Sequence, residues 1–330
     1  MRARGITYDT GFINRGVSTR PSFDPADVRE DMRVIREELH CTAVRVTGGD
    51  VDRLDLAASI AADVGLEVWF GPFTCDLTRD ELLDVLADCA TRAERLRVAG
   101  AEVVVVTGAE LSLFTRGFLP GDDLDARLGL LADPDRLVAA LPAVPARIND
   151  FLGRAVAVVR ERFGGRVAYA SIPFEGVDWT PFDFVGVDLY RTAEIADHFA
   201  PAVRRLVASG KPVAITEFGS ATFAGASARG ARGGMIVVYE DVRPVGLDGD
   251  YARDEAEQAA VIRELLDVFA AEGVDSAFLC TFACHHLPHR PDDPRRDLDL
   301  GGYGVVKVLD DGTWQPKAAF AAVADHYRRG

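Results

Sequence analysis

The chain has 330 residues, 48% of them hydrophobic, and a formal net charge of −15. That length supports a large buried core and, because α/β barrels run long as one unit, a single domain over residues 1–330 is expected. The negative balance repels phosphate backbones and anionic membranes, which sets nucleic acid and membrane surfaces aside as partners.

The opening MRARGITYDT has two arginines but no apolar stretch behind them, so no targeting segment is expected. No apolar run approaches the length of a membrane span. The five cysteines, Cys41, Cys75, Cys89, Cys280 and Cys284, are odd in number and form no CxxC spacing. They argue against a disulfide framework and for a cytoplasmic setting.

Short β-rich apolar runs alternate with longer amphipathic stretches. Strands are predicted at Gly5–Tyr8, Ala43–Val46, Leu66–Phe70, Glu102–Thr107, Arg166–Ala170, Phe184–Leu189, Pro212–Thr216 and Ser276–Phe282. The four consecutive valines Val103–Val106 suit a strand buried on both faces, as in a parallel sheet. Among the helices, Asp24-Pro25 reads as a cap followed by a first-turn proline, and Thr78 as an N-cap. Ala256–Ala270 and Pro316–Arg328 are further helical patterns. This alternation predicts one (β/α)₈ TIM barrel rather than an open doubly wound sheet, since no GxGxxG turn follows the first strand. Long loops are expected after strand four (111–142), strand seven (218–250) and strand eight (283–312), all on the face where barrels carry catalysis.

The polar strand tips expected on that face are Tyr8, Asp9, Arg45, Asp76, Glu110, Glu175, Asp188, Tyr190, Glu217, His285 and His286. An acidic, aromatic pocket bearing an arginine suits a neutral polyhydroxylated substrate that passes through a cationic transition state. Glycosidic cleavage needs an acid for the leaving oxygen and a carboxylate for the oxocarbenium-like carbon. Glu110 and Glu217, at the tips of strands four and seven, are placed to face each other over a sugar ring.

Pro212-Val213-Ala214-Ile215-Thr216-Glu217-Phe218-Gly219 resembles the nucleophile strand of the clan A retaining glycoside hydrolases. Asp183 to Tyr190 is similar to that clan's strand six, and Asp310 to Phe320 to its final turn and helix. Arg45 sits where the clan carries a strand-two arginine. The resemblance implies Glu217 as nucleophile, Glu110 as general acid/base, and Arg45 and Tyr190 orienting and ionising Glu217. From their place at the strand tips, Tyr8, Asp9, Asp76, Asp188, His285 and His286 are expected to help bind a small-molecule or oligosaccharide substrate, with no cofactor or metal. Two departures fall on substrate recognition. Ala109 stands where the clan has an asparagine before the acid/base. The stretch Cys280-Thr281-Phe282-Ala283-Cys284-His285-His286 lacks the clan's strand-eight tryptophan.

Two other readings follow from the same residues. Asp76, Glu110 and Glu175 on strands three, four and five fit a Mg²⁺-dependent lyase or isomerase. The loss of the asparagine fits a catalytically idle, carbohydrate-binding barrel. The Cys284-His285-His286-Leu287-Pro288-His289 cluster matches no standard zinc spacing. The only lysines, Lys211, Lys307 and Lys317, lie outside the predicted strands, which disfavours Schiff-base chemistry. Finally, residues 219–234 contain five glycines and no acid. They are expected to form a mobile lid whose Arg229 and Arg232 reach over the acidic mouth.

Overall fold

The computed structural model describes residues 1–329. Eight parallel strands form the barrel: β1 Ala3–Asp9, β2 Ala43–Gly48, β3 Glu67–Pro72, β4 Val103–Ala109, β5 Arg166–Ala170, β6 Val185–Asp188, β7 Val213–Phe218 and β8 Ser276–Leu279. They pair in the order β5-β4-β3-β2-β1-β8-β7-β6. Closure comes from Ser171 N–H donating to Gly186 O (3.1 Å) and Asp188 N–H to Ser171 O (2.9 Å). The two strands approach closely there. A side chain at Gly186 would place its Cβ 2.0 Å from Tyr169 O, so only glycine fits. The predicted (β/α)₈ barrel is therefore the observed fold.

The helices are α1 Pro25–Glu37, α2 Val51–Asp63, α3 Arg79–Val98, α4 Leu111–Phe114, α5 Leu124–Leu131, α6 Pro134–Ala140, α7 Val144–Arg160, α8 Ala196–Val207, α9 Glu255–Glu272 and α10 Ala318–Arg329. Asp24 caps α1 by accepting from Ala26 N–H. Thr78 and Glu81 close a reciprocal capping box on α3. The alternation breaks once. Between β5 and β6 lies only a 3₁₀ turn, Pro173–Glu175, which ends at Gly176 in a left-handed conformation (φ 59°).

Strand alternation sorts the core into two layers. Inside the barrel Trp69 packs against Phe184 and Phe278, with ring centroids 4.9 and 4.7 Å apart, among Val104, Val106, Ala168 and Ala214. Outside it, Ile6, Val44, Val68, Val105 and Ile215 meet the helices. The five cysteines are free, and no helix among the described residues is long and apolar enough to cross a membrane.

The segment expected to be a lid is instead packed. Ala221, Phe223, Ala226 and Ile236 form a small core with Leu247, Leu287, Leu298 and Leu300. Arg229 lies over the Phe223 and Tyr251 rings, and Arg232 pairs with Glu194, so neither reaches over the carboxylates. The apolar partners come from the β8 loop, which glycine content in 219–234 does not reveal. An ionic cluster ties these loops together: Arg253 bonds Asp297 and Asp299, and fully buried Lys317 bonds Asp299 and Thr222. Lys307 pairs with Glu255. Lys211, at the opposite end of the barrel just before β7, donates to the carbonyls of Thr180 and Phe182.

Candidate active site

Glu110 follows β4 in a left-handed conformation (φ 46°, ψ 44°), and it N-caps α4 without using its side chain. Such a backbone is costly for a residue with a Cβ and persists only where its surroundings hold it. Here the first N–H groups of α4 are satisfied from β5 and the turn that follows. Leu111 N–H donates to Tyr169 Oη (2.9 Å), and Ser112 N–H to Glu175 Oε1 (2.9 Å). Glu175 also accepts from Tyr169 Oη–H (2.7 Å) and Ser171 Oγ–H (3.0 Å). The helix end is capped by other residues, so the Glu110 carboxyl is left to face the barrel axis.

Glu217 comes from β7. Arg45, buried on β2, donates to Glu217 Oε1 at 2.7 Å and to Thr216 O at 3.0 Å. Tyr190 Oη–H donates to Oε2 at 3.1 Å. One carboxylate oxygen each of Glu110, Asp188 and Glu217 lies within 4.8 Å of the others. Asp188, on β6, accepts from Thr216 Oγ–H at 2.6 Å, while its Oδ2 is buried without a partner.

Three carboxyls thus crowd one guanidinium. Burial, then the negative charges of Asp188, Glu217 and Glu175, push the Glu110 carboxyl well above its ordinary 4.5. Burial and then Glu217 push Asp188 well above 3.8. Burial, then Cys280 and Glu217, raise the Tyr190 phenol well above 10.0, which keeps it a donor. A carboxyl whose pKa is higher folded than unfolded stabilises the fold fully below its unfolded value, and that contribution fades as pH rises through the folded value. Asp188→Asn should therefore gain melting temperature relative to the parent as pH is raised from about 5 to about 8. Melting curves across that range test this; a gain that shrinks with pH would contradict the assigned shift.

The structure also corrects two expected site residues. Tyr8 shares the outward face of β1 with Ile6, packs under α1 and donates to Asp31 at 2.7 Å, so it lies behind the barrel wall rather than in the pocket. Asp76 is bonded by buried Arg127 of α5 and by Leu124 N–H (3.3 Å), which fastens the β4 loop down. Asp9 accepts from Gly11 N–H (2.8 Å) and Thr19 Oγ–H (2.6 Å), shaping the hairpin after β1. His285 and His286 diverge. His286 lines a cavity with Phe12 and Tyr239, and His285 one with Arg20, Asp31 and Trp314. Burial lowers both, His285 to about 3, so both are neutral near pH 7.

Residues beyond those expected complete the site. Of the stretch Cys280 to His286, Cys280, directly after β8, is the one beside Tyr190 and Glu217. Tyr303 stacks edge-on against Tyr190 (5.7 Å) and is anchored by donating to Gly230 O at 2.6 Å. The aromatic at 303 sits in a glycine-rich turn, a faint signal for a packed loop.

Asp76 and Glu175 are committed elsewhere. Among the described residues the one group of His, Cys, Asp or Glu close enough to share an ion is Glu110, Asp188 and Glu217. Arg45 already places a positive charge against it, which a dication would oppose. Prolonged dialysis against EDTA should leave the melting temperature unchanged. A fall reversed by Mg²⁺, Mn²⁺ or Zn²⁺ would favour the metal-dependent reading.

No family model matches the sequence, and no curated protein matches it. Solved structures do. The chain is similar to a GH113 β-1,4-mannanase at 16% identity and TM-score 0.64, over 100% of this chain and 99% of that one. It is similar to the GH113 β-mannanase AaManA from Alicyclobacillus acidocaldarius at 16% identity and TM-score 0.62, over 99% and 97%. The β-glucuronidase of Parabacteroides merdae aligns at 14% identity and TM-score 0.58, over 99% of this chain and 36% of that one. These likenesses show a shared fold, the (β/α)₈ barrel.

Proposed function

We propose that the protein is a retaining O-glycosidase in which Glu217 is the nucleophile and Glu110 the general acid/base. The observation that carries this is the spacing of their carboxyls, with oxygens within 4.8 Å. Retaining enzymes hold the pair about 5–5.5 Å apart, whereas inverting ones leave about 6.5–9.5 Å for a water. The environments also divide the roles. Two donors, Arg45 and Tyr190, hold Glu217 in place. Glu110 accepts no hydrogen bond from the described residues, and its raised pKa lets it carry a proton.

In the first step Glu110 gives its proton to the glycosidic oxygen as a Glu217 oxygen bonds to the anomeric carbon and the leaving group departs as an alcohol. In the second, Glu110 takes a proton from water, whose oxygen bonds to that carbon and releases Glu217. The barrel neighbours act on mannans and glucuronides according to their names, which makes glycosides the first substrate class to examine. A panel of 2-deoxy-2-fluoro glycosyl fluorides tests the reading. Mass spectrometry should find a covalent adduct on the peptide containing Glu217; an adduct on no carboxylate across the panel would count against the mechanism.

A further inference from the structure

A cavity of about 640 Å³ lies between the hairpin after β1 (Ile13–Asn14 with Val17–Ser18), α5 and the hairpin of the β7 loop (Val237–Glu240 with Arg243–Leu247). Its volume is that of a small-molecule site. None of Glu110, Asp188 and Glu217 lines it. The wall is mixed. Val17, Leu124, Leu128, Val242 and Pro244 are aliphatic, Phe12 and Tyr239 supply two rings, and the rest is polar. Part of the polar wall is already bonded within the protein. Arg15 pairs with Asp125 (2.6 Å), Ser18 Oγ–H donates to Arg20 O (3.2 Å), and Thr19 Oγ–H donates to Asp9 (2.6 Å).

Four other side chains on the wall, those of Asn14, Tyr239, Asp241 and His286, form no hydrogen bond with the described residues. Asn14 Oδ1 and His286 Nδ1 are in addition buried without a partner. A buried polar atom left unpaired is rare in a folded protein and calls for a reason; two on the wall of one cavity call for a shared one. Because no hydrogen bond holds either side chain, a turn about its last bond can bring the unpaired atom to the cavity. The four groups are mixed in sense. The Asn14 amide, the Tyr239 hydroxyl and the His286 imidazole, kept neutral by burial, both donate and accept, whereas Asp241 accepts. A hydroxyl, donor and acceptor at once, answers any of them. Phe12 and Tyr239 add ring surface for C–H groups, and Phe12 is braced by Phe73 (4.9 Å) and Phe114 (5.6 Å). Hydroxyls round the edge and C–H groups on the faces describe a sugar ring. An anion would instead meet Asp241, with the cavity's one arginine already paired, and a hydrocarbon would leave Asn14 and His286 unpaired. We infer that this cavity is a binding site for a neutral saccharide, held by Asn14 and His286 and packed against Phe12 and Tyr239. The inference concerns binding alone and does not depend on whether the carboxylates cleave a glycoside.

NMR titration of isotope-labelled protein tests it, in the Glu217→Ala background so that no probe is consumed. The probes are cellotriose, mannotriose and laminaritriose. The His286 imidazole and Asn14 amide signals, identified by their loss in His286→Gln and Asn14→Leu, should shift to saturation with at least one of them. Followed at His286, the affinity should fall at least about tenfold in Asn14→Leu, which keeps the volume and removes the hydrogen bonds. It should fall similarly in Tyr239→Ala, whose side chain is 49% exposed and outside the core. No shift with any probe overturns the inference. Shifts whose affinity is unchanged in both variants report binding elsewhere and overturn it too, as do shifts with phenol or cyclohexanol but with none of the trisaccharides. Saccharide binding that depends on Asn14 and Tyr239, in a parent protein that cleaves no glycoside, supports the site and counts against the glycosidase reading. Cleavage by the parent with His286 unmoved by any probe does the reverse.

Discussion

Glu217→Ala is expected to lose turnover on any confirmed glycoside by about 10⁴-fold or more, because the loss of a covalent nucleophile leaves only binding and electrostatics. The shortened side chain leaves space between Arg45 and Tyr190, both of which still donate into it. Azide can enter there and attack the anomeric carbon on the face that Glu217 would have used, giving a glycosyl azide of inverted configuration. Product configuration by NMR is the discriminating measurement, and an azide product of retained configuration would exchange the two roles.

Glu110→Ala should fail differently. The first step then lacks its acid, so unactivated substrates should slow by about 10²–10⁴-fold, while aryl glycosides with good leaving groups should glycosylate Glu217 at nearly the parental rate. The second step lacks its base, so the intermediate should accumulate, and azide should restore turnover with retained configuration. Near-normal rates on an unactivated substrate would remove Glu110 from the mechanism. Because the carboxyl of Glu110 is unbonded and α4 is capped by Tyr169 and Glu175, this variant should keep the site's architecture, and its kinetics can be read as chemistry.

Much of the barrel was legible because parallel strands buried on both faces must be written as apolar runs, and Val103–Val106 is the clearest example. The pairing of Glu110 with Glu217 was legible for a related reason: strand tips converge on one end of a barrel whatever their separation in sequence. Tyr8 was misplaced although its strand contains the needed information. Counting alternate positions from Gly5, whose absent side chain makes room for Phe278 inside the barrel, puts Tyr8 outside with Ile6. Asp76 was misplaced for a different reason, since its partner Arg127 lies 51 residues away in a loop helix, and no local pattern pairs them. The same holds for Cys280 and Tyr303, which act through residues on other strands or loops. The packed β7 loop shows how composition misleads. Its glycines permit tight 3₁₀ turns, and the apolar area that orders it is supplied by Leu287, Leu298 and Leu300.

The placement of the lysines has a practical consequence for handling the protein. Lys317 and Lys307, near the catalytic face, are held by Asp299 and Glu255 and are largely shielded from solvent. Lys211, the third lysine, precedes β7 and so lies at the other end of the barrel. Coupling through Lys211 to a bead, a sensor surface or a dye would thus attach the molecule by its base. Attached in that way, the molecules would present the carboxylates outward.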